Sequence, residues 1–159
     1  YEPEMFYAVE PSIQMYIAEK SEALRELYVS SYSYAATANY IHQMATDKLV
    51  ELFGAMHPQY TRQDFYELEL ATSGMVRSFM ARKCDRNFTM EQKLRRFLSC
   101  SMTIYGVAEE KQQQVIDRVL EMDLKSVADQ LVADAIHQAD EQYQEAERKG
   151  KAIEAARNG

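Results

Sequence analysis

Glycine and proline are scarce in this chain, 5 and 3 residues among 159. So few breakers leave long uninterrupted segments, which argues for helices. Cysteine is scarcer still: Cys84 and Cys100 stand sixteen apart with no C-x-x-C spacing. A structural zinc site takes about four ligands, and no cluster supplies them. The two thiols read as reduced side chains of a cytosolic protein. No apolar run approaches the ~20 residues of a membrane span, and the first residues show no signal-peptide pattern. There is no G-x-G-x-x-G, no Walker loop and no G-x-S-x-G. The three histidines, His42, His57 and His137, have no sequence neighbours that make a triad. Asp134 and His137 form one D-x-x-H, whereas a carboxylate-bridged di-iron bundle uses Glu-x-x-His twice plus two more Glu, and the pair reads as exposed and polar. No catalytic residue, metal ligand or cofactor is expected.

What the chain does have is apolar residues, 47% of it, enough for one globular domain with a core. The formal charge of -7 is uneven. Residues 1–60 and 107–159 are acidic, whereas 61–106 carry an excess of cations, chiefly Arg82, Lys83, Arg86, Lys93, Arg95 and Arg96. That cluster reads as a solvated face set against acidic neighbours. An acidic chain is a poor candidate for binding nucleic acid by itself.

Every strong periodicity is helical. The pattern predicts a first helical stretch over 3–31, broken near Pro11 or Ser21, and a second over 35–56. A third, over 61–82, is capped by Thr61 with Asp64 three residues on. A fourth, over 89–105, is capped by Thr89 with Gln92 and stopped by Gly106. The last stretch runs from about 108 to 148 with a break at Met122–Asp123. Residues 1–148 form a single all-α domain, and 149–159 form a frayed tail. The segment SCSMTIYGVAEEKQQQVIDRVL imitates a helix-turn-helix, but its second helix opens with Glu109 and Glu110 where phosphate would lie. It reads as a loop between two core helices.

Two features remain. On the third helix Glu69 borders the apolar stripe and begins a polar row, Glu69–Ser73–Arg77, while Ala71, Gly74, Ser78 and Ala81 make the opposite side small enough for close helix approach. The chain also holds 9 methionines and 11 tyrosines, four of the latter in LRELYVSSYSYAATANYI. On helices this pairing suits either a cavity for varied apolar ligands with one or two polar handles, or an ordinary core.

The order of helices, with LRELYVSSYSYAATANYI, DFYELELATSGMVRSFMAR and FTMEQKLRRFLSCSMTIYGV, resembles the C-terminal effector-binding part of TetR-type transcriptional repressors over most of residues 5–122. The family's N-terminal helix-turn-helix is not in this sequence. The resemblance implies an all-α bundle that senses a small apolar or amphipathic effector and forms a homodimer through a four-helix bundle, two helices from each subunit. It reaches DNA only through the missing head. Tyr16, Tyr28, Tyr32, Tyr40, Met44, Met75 and Phe79 are then expected around an effector cavity, with Arg77 as an anionic ligand's handle. The dimer face would use Ala71, Gly74, Ser78, Ala81, Leu94, Phe97, Leu98 and Ser101. A stand-alone helical protein-interaction module is the alternative.

Overall fold

The computed structural model describes residues 2–159. It is all-α: helices α1 (Pro3–Lys20), α2 (Glu22–Ser31), α3 (Ala35–Phe53), α4 (Arg62–Ala81), α5 (Met90–Ile104), α6 (Glu109–Glu121) and α7 (Leu124–Asn158), with a 3-10 turn at Gly54–Met56. Among the described residues there is no strand, and no helix is long and apolar enough to cross a membrane.

Side-chain caps open α2, α4, α5 and α7. Thr61 accepts the Asp64 amide while the Asp64 carboxylate accepts the Thr61 amide, and Thr89 and Gln92 do the same for α5. Of the two breaks considered for the first stretch, Ser21 is the one used. Its backbone is extended, and its hydroxyl accepts the Leu24 amide to open α2. Pro11 sits inside α1 instead, buried among its neighbours. Gly106 ends the α5 turn at φ +74°, where a Cβ would stand 2.9 Å from the His57 ring. That ring stacks on Tyr60 and donates from Nε2 to the Tyr105 carbonyl at 2.6 Å, closing the turn. Two requirements therefore meet at Gly106, left-handed backbone and space.

α1 packs against all six other helices. A helix so placed must be apolar around much of its circumference, and Ala8, Pro11, Ser12, Met15, Ile17 and Ala18 are buried on it. Around it the core gathers Leu49 and Phe53 of α3, Phe65 and Met80 of α4, Leu94, Phe97, Leu98 and Met102 of α5, and Val115, Ile116 and Val119 of α6. The helix-turn-helix imitation is thus a connection between two core helices.

Three expectations need correction. Leu94, Phe97, Leu98 and Ser101 are fully buried within the subunit, so they cannot also form a face between subunits. Their stripe marked a buried surface correctly, but its cover is the chain itself. Ala71, Gly74, Ser78 and Ala81 are exposed on the outer side of α4. Lys93 does not belong to a solvated basic face, since it is wholly buried. Finally, residues 149–158 continue α7 as helix rather than fraying. Ion pairs at i and i+4, Glu145–Lys149 and Glu147–Lys151, support that extension.

Candidate functional site

Helices α1 to α4 surround a cavity of about 740 Å³. Each contributes through ordinary helical spacing. Tyr7, Glu10, Pro11 and Gln14 repeat at three to four residues along α1, and Tyr28 and Ser31 do so on α2, followed by Tyr32. Tyr40, Ile41, Met44 and Ala45 come from α3, and Glu69, Thr72, Ser73 and Val76 from α4. Tyr105, just after α5, closes the inner end. The four tyrosines singled out in the sequence divide by place. Tyr28 and Tyr32 are partly buried in the wall, Tyr40 is 65% exposed at the mouth beside Met44, and Tyr34 does not line the cavity.

The inner end is polar. His42 Nδ1 lies 2.6 Å from Glu69 Oε2, and Glu69 is only 3% exposed. Burial pushes the Glu69 carboxyl up, against the opposing pull of His42 and the Ser73 hydroxyl. Ser73 Oγ stands 3.4 Å from the same ring nitrogen and donates to the Leu70 carbonyl at 3.2 Å. A Ser–His–acid relay has its acid and its serine on opposite ring nitrogens. Here both address Nδ1, so the group is a buried polar knot rather than that relay. Beside it Thr72 Oγ1 and the Tyr105 hydroxyl share a hydrogen bond of 2.7 Å. Tyr105 stacks on Phe53 and meets Tyr7 edge-on, with ring centres 5.1 and 5.2 Å apart. Burial raises the phenols of both Tyr7 and Tyr105, which are neutral donors at any ordinary pH. Tyr32 donates to Gln14 Oε1 at 3.2 Å. Its phenol is pushed up to about 12 by burial, then by the charges of Glu69 and Glu10.

Four of the expected cavity residues lie elsewhere. Tyr16 borders a separate hollow with Glu19, Cys84 and Lys125. Phe79 turns toward α5, its ring 5.7 Å from that of Phe97 and 6.4 Å from that of Phe88, and Met75, one turn earlier, packs against the core. Arg77 is exposed and does not line the cavity. Eight residues at 100° each leave it about 80° around the helix from Glu69, so the row that begins at the cavity has turned outward by its third member.

A second charged cluster sits on the other side of α1. Glu19 receives Lys93 Nζ at 2.9 Å, Arg25 Nη2 at 3.2 Å and the Cys84 amide at 3.0 Å. Lys93 also donates to the Arg82 carbonyl, and Arg25 pairs with Glu22. Burial would raise the Glu19 carboxyl, but the Lys93 and Cys84 hydrogen bonds outweigh it and hold it below the usual range. Neither cluster was read from the sequence, because each joins residues from different helices. The available signal was a charge at an otherwise apolar helical position, visible for Glu69 and overlooked for Lys93. Comparison of the chain with family models, with curated proteins and with solved structures finds no match in any of the three.

Proposed function

We propose that this chain is the ligand-sensing and dimerisation part of a TetR-type transcriptional repressor, holding a small amphipathic effector in the cavity between α1 and α4. The observation that carries the reading is the cavity itself, about 740 Å³ walled by aromatic and aliphatic side chains with polar groups gathered at its inner end. That is the makeup of a small-molecule site, where apolar walls supply affinity and a few polar atoms supply orientation. An effector reaching Glu69 and Tyr105 touches α1, α3 and α4 together, so it favours whichever helix spacing its bound form requires. The outer side of α4, with Ala71, Gly74, Ser78 and Ala81, is the surface offered to a second subunit. A thermal-shift screen of amphipathic compounds tests the site, because a ligand of the native state alone stabilises it by RT ln(1 + [L]/Kd), about 2.7 kcal/mol at a hundredfold excess over Kd. Absence of any stabilising compound across a broad set argues against the sensor.

One observation favours the alternative of a helical interaction module. Every residue of α7 from 133 onward is exposed, among them Ile136, Tyr143 and Ile153. A partner of this kind would use that helix and not the cavity.

A further inference from the structure

We infer that the ligand of the α1–α4 cavity is an organic cation with an apolar body, a proposal that rests on the sensor reading above. The side chains that line the cavity include four carboxylates, Glu10, Asp47, Glu51 and Glu69, against one lysine, Lys48. Two of the four are already neutralised: Lys48 holds Glu51 at 3.1 Å, and Arg62 holds Asp47 at 2.8 Å. Glu10 and Glu69 have no lysine or arginine partner among the described residues. Glu69 is the more telling of the two. It is buried at the inner end, and among the described residues an imidazole is its only basic neighbour; a carboxylate removed from water in this way lacks the full compensation that a permanent cation would bring.

The aromatic lining points to the same charge. Tyr7, Tyr28, Tyr32, Tyr40 and Tyr105 all reach the cavity. Ring faces carry negative potential and attract ammonium-type groups, most strongly where water is excluded. Tyr32 stands within the field of both Glu69 and Glu10, so the negative potential spans the cavity from wall to inner end. An anion would meet repulsion there, and among the described lining residues no unpaired lysine or arginine stands to receive it. A neutral ligand would use the walls alone.

Three probes with the same tail separate these cases: decyltrimethylammonium, decanol and decyl sulfate, each titrated into the full chain below its micellar concentration. The expected result is one-to-one binding in which the ammonium binds about tenfold or more tighter than decanol, and the sulfate most weakly. Glu69→Gln should bring the ammonium down to the affinity of decanol while leaving decanol unchanged. Glu51→Gln, whose charge Lys48 already cancels, should change little. If Glu69→Gln fails to fold, as judged by its helical circular dichroism, Glu10→Gln carries the test and should reduce the same preference. Equal binding of ammonium and decanol, or a preference that survives both variants, overturns the cation proposal and leaves the sensor cavity standing. Failure of all three probes to bind overturns both.

Discussion

Glu19 on α1 and Glu69 on α4 are two carboxylates with charged or polar partners from neighbouring helices, and the protein treats them differently. Glu19 is saturated by a lysine, an arginine and a backbone amide, and its acidity is strengthened. Glu69 has a histidine and a serine, and its acidity is weakened by burial. The first arrangement behaves as a clamp: it joins α1, α2, α5 and the loop after α4, and nothing is left to bind. The second is under-compensated and faces a cavity. A half-buried acid saturated by cations and a buried acid without one therefore mark a structural joint and a candidate site.

The largest effect should come from breaking the clamp. Lys93→Met leaves Glu19 short of its nearest cation in a buried setting, with an expected loss of about 3 kcal/mol in urea denaturation. Glu69→Gln should cost under about 1 kcal/mol, since the amide still receives a hydrogen bond and the buried charge disappears. Comparable losses for the two variants would erase the proposed difference.

pH sharpens it next, with opposite signs. The folded-state pKa of Glu19 is depressed, so its contribution is present above the unfolded value near 4.5 and lost as pH falls below it. That of Glu69 is raised, so the folded protein takes up its proton first, and the cost of its burial is relieved as pH falls toward 4.5. Measured against Glu19→Gln, the wild type should lose its advantage on acidification. Measured against Glu69→Gln, it should gain. Parallel slopes would contradict the assignment.

The smallest effect lies one residue beyond Ser73, on the outside of α4. A Cβ at Gly74 meets nothing within 4 Å, so Gly74→Ala should stabilise the subunit by about 0.5–1 kcal/mol through helix propensity alone. Gly74→Leu should leave the subunit folded and weaken a dimer formed through this side, as read by sedimentation. An unchanged dimer would move the contact elsewhere.

The helices, their caps and their breaks were largely legible in the sequence, because 100° periodicity and Thr-x-x-Asp or Thr-x-x-Gln signals act within one turn. The cavity was partly legible. Tyr28, Tyr32, Tyr40 and Met44 stand on it, because aromatic and thioether side chains at the edge of an apolar stripe face an incompletely filled space. Tyr16, Met75, Arg77 and Phe79 do not, since a stripe says that a face is covered and not by what. The same ambiguity placed Leu94, Phe97, Leu98 and Ser101 between subunits when they belong inside one.

Sequence alone determined what short-range forces decide: an all-α chain, the opening of α4 at Thr61 and of α5 at Thr89, and the stop at Gly106. Tertiary structure decided which charges meet. His42 and Glu69 are 27 residues apart and Glu19 and Lys93 are 74 apart. Their pairing depends on how α3 lies on α4 and α1 on α5, and helix packing angles emerge only when all the apolar faces are satisfied together.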